Sequence, residues 1–224
     1  MSDTLYVVHT MGRCGSVSVA GALMKERLNV IHVHRLRGEN ADRDAVSQIC
    51  NHLEEKKPVR VITLIREPVA RNISAYFTNH ILWGVKPTVE DFLNRYRHDI
   101  PLKWIPEQLS FWDYTFQYPI VRPKEFEDYY PGTFLINTKS PVLFIRTMDL
   151  DKVWDRAWAM FSDKKVKMGR ANSMAQPTRF PQIYHEFIRD AKLPVWYLDM
   201  MYQSDYTKTF FSPKEIERLY EIWQ

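Results

Sequence analysis

Three short apolar runs, each followed by a stretch of helical period, occupy the first third of the chain and restrict the folds open to it. Leu5 to His9, Asn29 to His34 and Arg60 to Ile65 are the runs. Leu5 to His9, short and apolar, is what a strand buried on both faces of a parallel sheet is expected to look like. Between them, Ala20, Leu23, Met24 and Leu28 recur at helical spacing, and Ala45, Ile49 and Leu53 mark a second helix ending before Pro58. After the third run, Pro68 suits the first position of a helix whose buried stripe is Val69, Ile73, Tyr76 and Phe77. This alternation predicts an α/β fold with a mainly parallel sheet and right-handed crossovers.

The remainder reads as richer in helix. Thr88 with Asp91, and Ser212 followed by Pro213 and Glu215, are helix starts. Thr133 to Asn137 and Val142 to Thr147 flank Thr138 to Ser140, which predicts a hairpin added to the sheet. A helix follows from about Leu150 to Phe161, and the polar stretch from Lys164 to Thr178 is the best candidate for a mobile loop. No linker or repeat divides residues 1–224, so a single domain is expected.

Composition narrows the function. Apolar residues make up 45% and aromatics 14%, enough for a sizeable core. The net charge of +4 comes without polybasic runs, which argues against nucleic acid as a partner. Cys14 and Cys50 make neither a disulfide framework nor a metal set. The apolar runs fall far short of the roughly 20 residues of a membrane span. With no charged leader before the first strand, a cytoplasmic protein without a transmembrane segment is expected.

The segment His9-Thr10-Met11-Gly12-Arg13-Cys14-Gly15-Ser16-Val17-Ser18 lies between the first strand and the first helix. A helix N-terminus there offers unpaired N–H groups and the positive end of its dipole to an anion. Gly12 and Gly15 let the backbone approach closely, Arg13 adds charge, and Ser16 and Ser18 add hydroxyl donors. The Lys of a Walker A loop is missing, which weakens an ATPase or GTPase reading. A tight turn with an exposed Arg is the plain alternative.

The segment Arg66-Glu67-Pro68-Val69-Ala70-Arg71-Asn72-Ile73-Ser74-Ala75-Tyr76 follows the third strand. Arg66 stands at the strand's carboxyl end, where ligands of open α/β sheets bind. Ser74 is expected opposite the Ile73/Phe77 stripe, on a polar face shared with Arg71. Together they suit a second phosphate. Alternatively, Arg66 caps carbonyls and Arg71 pairs with a surface acid.

Arg13 to Ser18 resembles the 5′-phosphosulfate loop of sulfotransferases that use 3′-phosphoadenosine 5′-phosphosulfate (PAPS). Arg66 to Tyr76 resembles their Arg-x-Pro-x-x-Arg-x-x-Ser-x-Tyr 3′-phosphate motif. Val142 to Leu150 is similar to a later strand leading into an Asp-Leu turn and helix. Asn172, Tyr184 and the closing segment from Phe210 to Trp223 are similar to a bacterial group described as capsular polysaccharide synthesis proteins. The resemblance implies the P-loop NTPase-like sulfotransferase fold. It implies that Gly12, Arg13, Cys14, Gly15, Ser16, Val17 and Ser18 hold the sulfate-bearing 5′-phosphate, with Arg66 and Ser74 on the 3′-phosphate. Many members carry Lys where Arg13 stands, which exchanges a point donor for a planar fork. Val17 replaces a common hydroxyl residue.

The implied reaction is sulfuryl transfer from PAPS to a hydroxyl or amine acceptor, a carbohydrate or small metabolite, leaving adenosine 3′,5′-bisphosphate. Arg13 is the expected donor to the departing oxygen. The acceptor needs a base, for which the family uses a His or Glu. His32 and His34 point to one side of the second strand, and His34 is nearer the carboxyl end and preferred. His32 and Glu39 are alternatives, and His9 is placed to orient the loop. No His/Cys/Asp/Glu cluster has metal spacing, in keeping with a reaction that needs no metal.

Lys164, Lys165, Lys167 and Arg170 either close over the cofactor or form a solvated face. Trp104, Phe111, Trp112, Tyr114 and Phe116 either line an acceptor pocket or pack in the core. A P-loop kinase or hydrolase and a non-catalytic nucleotide-binding module are the competing readings, and the oligomeric state is left open.

Overall fold

The structure, a computed structural model, describes residues 3–79, 86–97, 108, 110–112, 132–136, 140–168 and 181–224. Its contacts group the chain into two compact units: Met1–Arg66, Trp104–Gln117 and Arg122–Asn172 form one, and Glu67–Lys103, Tyr118–Val121 and Ser173–Gln224 the other.

The first unit is an α/β layer structure. Strands β1 (Leu5–His9), β2 (Asn29–Val33), β3 (Val59–Ile65), β4 (Thr133–Ile136) and β5 (Val142–Arg146) form one sheet in the order β2-β1-β3-β5-β4. Four are parallel, and β4 pairs antiparallel with β5 at the edge. The predicted parallel core and the added antiparallel strand are therefore both present. Every residue of β1 and β5 is buried, the reason these runs carry no polar alternation.

Helix α1 (Ser16–Lys25) leads from β1 to β2, and α2 (Arg43–Glu54) from β2 to β3. Helix α5 (Leu150–Phe161) follows β5 and shares one face of the sheet with α1. Tyr6, Val8, Ile62, Leu64, Leu143 and Ile145 project from that face onto Val19, Leu23, Trp154 and Trp158. Burying a side chain of this size stabilises by about 1.5–3 kcal/mol, so this apolar layer holds the unit together. Met24, expected on the buried stripe, is 51% exposed, because α1 turns only one face to the sheet.

Two side-chain devices finish the sheet. Arg146 and Asp149 form a buried ion pair at 2.6 Å beyond β5. Gly132 (φ +90) lies against it, and a Cβ there would run into Asp149 Oδ2 and Arg146 Nε, so a larger residue would be strained and would displace the pair. Trp154 and Trp158 of α5 donate their indole N–H groups to the carbonyls of Val166 and Lys164. The first residues of the expected mobile loop are thus tied to a helix.

The second unit is helical: α3 (Pro68–Asn79), α4 (Val89–Tyr96), α6 (Pro181–Asp190), α7 (Val195–Tyr202), α8 (Asp205–Phe210) and α9 (Pro213–Trp223). Edge-to-face contacts among Tyr76, Phe77, Phe92, Tyr184, Phe187 and Tyr197 form its core. Thr88 caps α4 through the N–H of Asp91, and Ser212 with Glu215 builds a full capping box on α9, as their spacing predicts. No helix among the described residues is long and apolar enough to cross a membrane.

Candidate functional site

Strand order places the site. From β1 the chain crosses to β2 on one side, then back past β1 to β3 on the other. The connections after β1 and β3 leave in opposite senses, and ligands of open α/β sheets bind at such a switch point. Pairing between β1 and β3 stops at Val8 and Ile62, while β3 stays paired to β5 as far as Ile65 and Arg146. Beyond Val8, side chains hold β1 and β3 together. Thr63 Oγ1 donates to the His9 carbonyl at 2.9 Å, and Thr10 Oγ1 donates to the Leu64 carbonyl at 3.0 Å.

The loop leaving β1 runs through Gly12 to Gly15. Arg13 has φ +72 and Gly15 has φ +84, so two left-handed residues flank Cys14. Arg27 and Lys56 also have positive φ, but each lies just past a helix C-terminus, where that conformation is ordinary. Arg13 has no such reason, and a non-glycine residue there costs about 1–2 kcal/mol. Alternating left-handed residues turn successive N–H groups to one concave side, an arrangement that binds anions.

The start of α1 carries no side-chain cap, since Gly15 occupies the N-cap. Helices α2, α4, α8 and α9 are capped by Asp42, Thr88, Ser204 and Ser212. Helix α3 is closed by a carboxylate from its own chain. Glu67 accepts from the N–H groups of Val69 and Ala70, both at 2.7 Å, and from the Tyr202 hydroxyl at 2.8 Å. Burial first, and the Glu67 charge second, push the Tyr202 pKa far up and keep its hydroxyl a donor.

Two carbonyls of the loop are anchored from neighbouring strands. Arg66, one residue past β3, donates from Nη1 to the Arg13 carbonyl at 2.7 Å. Thr147, one residue past β5, donates from Oγ1 to the Cys14 carbonyl at 2.9 Å. Cys14 is fully buried and joins the apolar layer on that face of the sheet.

The histidines divide into three situations. His9 is buried, its Nδ1 accepts from Trp112 Nε1 at 3.1 Å, and desolvation, then the charge of His34, lower its pKa to about 3. It is a neutral packing residue under the loop. His32 is half-buried with Nε2 at 2.8 Å from Ser16 Oγ, and burial, then His34, lower its pKa. His34 is exposed, one residue past the end of β2, and its Nδ1 stands 2.7 Å from the Thr10 carbonyl. A carbonyl only accepts, so Nδ1 bears the proton and the lone pair of neutral His34 is on Nε2. The rings of His32 and His34 meet edge to face at 4.9 Å, on one side as expected.

Comparison with family models, curated proteins and solved structures finds no match to this chain.

The structure brings Gly12, Arg13, Cys14, Gly15, Ser16, Arg66, His32 and His34 together in the first unit. Val17 is 73% exposed beside the loop, and Ser18 continues the first turn of α1. Glu39 is exposed in the turn after β2. Ser74 does not sit on a polar outer face. It is 2% exposed, because α3 is buried almost all round, and Arg71 in the same helix donates to Asn72 Oδ1. Arg66 belongs to the sheet unit and Ser74 to the helical one. Trp112 is buried against His9, so core packing is its part, with Phe111 edge-on to it. Arg170, Asn172, Trp104, Tyr114 and Phe116 lie outside the described residues. Among the described residues, no three of His, Cys, Asp or Glu are grouped to hold a metal.

Three residues that periodicity does not single out support the site. Thr10 and Thr147 sit at strand ends, where a lone hydroxyl after a buried strand is a legible signal. Gln108 accepts from the N–H groups of Leu36 and Arg37, holding the turn that follows His34.

Proposed function

We propose that the chain is a PAPS-dependent sulfotransferase acting on a hydroxyl or amine acceptor, a carbohydrate or small metabolite. The observation that carries this reading is the hydrogen bond from Arg66 to the Arg13 carbonyl. Arg66, the first residue of one segment that resembles an anion motif of that family, bonds to Arg13 in the other segment, 53 positions away. A P-loop NTPase-like sulfotransferase fold, with a donor nucleotide phosphorylated at both ends, accounts for that bond.

The residues fit such a donor. An uncapped helix start, left-handed Arg13 and Gly15, and the Arg13 cation favour a phosphosulfate anion at the loop, with the Arg66 cation beside it for the 3′-phosphate. When bound, PAPS supplies an activated sulfuryl group. His34, its Nδ1–H fixed by the Thr10 carbonyl, takes the acceptor proton on Nε2. Arg13 and the loop amides stabilise the charge that develops on the departing phosphate oxygen. The sulfur–oxygen bond to that phosphate breaks as the bond to the acceptor forms, leaving adenosine 3′,5′-bisphosphate.

The test is incubation with sulfate-labelled PAPS and a panel of sugar, phenol and amine acceptors. Labelled acceptor and equimolar bisphosphate are expected. Phosphate transfer from ATP with magnesium, and none of sulfate, would overturn the reading.

A further inference from the structure

We infer that Thr147 is a positioning residue for the anion loop, acting through the backbone and not by touching the ligand. The inference rests on the function proposed above. Thr147 Oγ1 donates to the Cys14 carbonyl at 2.9 Å, as Arg66 does to the Arg13 carbonyl at 2.7 Å. A trans peptide is planar, and its N–H points opposite to its C=O. Drawing the carbonyls of Arg13 and Cys14 toward the ends of β3 and β5 therefore turns the amides of Cys14 and Gly15 the other way. Those two amides, followed by the uncapped start of α1, form one array of donors.

Thr147 is itself held in place. Its own N–H donates to the Ile65 carbonyl at 2.7 Å, continuing the β3–β5 ladder one step past Arg146. Its Cγ2 methyl lies 3.6 Å from where a Gly15 Cβ would stand, ordinary contact distance. The hydroxyl therefore has one orientation that satisfies Cys14, while the methyl fills the space beneath Gly15. The carboxyl ends of β3 and β5 set the direction of the loop's donors before any anion arrives, which spares the reorganisation a flexible loop would need.

The test separates hydroxyl from methyl. Thr147→Val keeps the shape and removes the donor, and Thr147→Ser keeps the donor and removes the methyl. Calorimetric titration uses adenosine 3′,5′-bisphosphate and, separately, inorganic sulfate. Thr147→Val is expected to bind each about tenfold more weakly than the parent, and Thr147→Ser within about twofold of it. Parent-like binding by Thr147→Val overturns the inference, as does equal loss in both variants, which would trace the effect to packing. If Thr147→Val does not fold, Thr147→Ser decides, since a tenfold loss there contradicts a role for the hydroxyl. A parent that binds sulfate but not the bisphosphate sinks the sulfotransferase reading and leaves the Thr147 comparison standing on sulfate. A parent that binds neither overturns both.

Discussion

Arg66 spends one donor of its guanidinium on the main-chain carbonyl of Arg13, at 2.7 Å, and so joins the end of β3 to the loop after β1. The bond fixes the last residue of the sheet unit before α3 against the Arg13 loop. A planar guanidinium can hold that carbonyl with one N–H and keep its other donors for an anion, a geometry that a lysine ammonium does not reproduce.

Replacing Arg66 by Ala should weaken binding of adenosine 3′,5′-bisphosphate about ten- to hundredfold, the loss expected for hydrogen bonds to a charged group. Arg66→Lys keeps the charge without the fork and should fall between. Calorimetry reads both, and parent-like affinity for Arg66→Ala would contradict the assignment.

His34 and His32 should separate kinetically. Removing a general base costs about a hundredfold or more in turnover, so His34→Ala should lose kcat in sulfate transfer. His32→Ala should act mainly on donor affinity, because its partner is Ser16 at the start of α1. Equal turnover of His34→Ala and the parent would remove His34 as the base.

His9 makes stability depend on pH in a defined direction. Burial lowers its pKa from 6.5 to about 3, so the unfolded chain binds its proton first as pH falls. The stability that neutral His9 contributes is complete above about pH 6.5. It is lost at about 1.4 kcal/mol per pH unit as the pH falls toward about 3. His9→Asn retains an acceptor for Trp112 and should flatten this dependence in urea unfolding, whatever its effect at neutral pH. An unchanged slope would assign the acid sensitivity elsewhere.

The elements most legible in the sequence are those whose burial is uniform. Leu5 to His9 and Leu150 to Phe161 agree with the structure at both ends, because a doubly buried strand and an apolar helical stripe leave plain patterns. The helix starts at Thr88 and Ser212 are legible because capping is local chemistry. Ser74 shows where local reading stops. A serine among apolar neighbours reads as outward, yet α3 is buried on nearly every side, and only tertiary packing decides that.

The site was legible as two segments but not as one arrangement. That Arg66 reaches Arg13, and Thr147 reaches Cys14, depends on β1 and β5 both flanking β3, and hydrophobic period carries no strand order. Glu67 is a different case. A Glu directly before a helix-starting Pro is a local signal that α3 is closed from within, which leaves α1 as the uncapped helix start beside Arg13.

Thermal unfolding with adenosine 3′,5′-bisphosphate, set against ATP with magnesium, tests the central claim most directly. A ligand at about 100 times its Kd stabilises the native state by about 2.7 kcal/mol, which reads as a clear rise in Tm. The account predicts that rise with the bisphosphate and little with ATP and magnesium. A larger rise with ATP and magnesium, or no response to the bisphosphate, would contradict it.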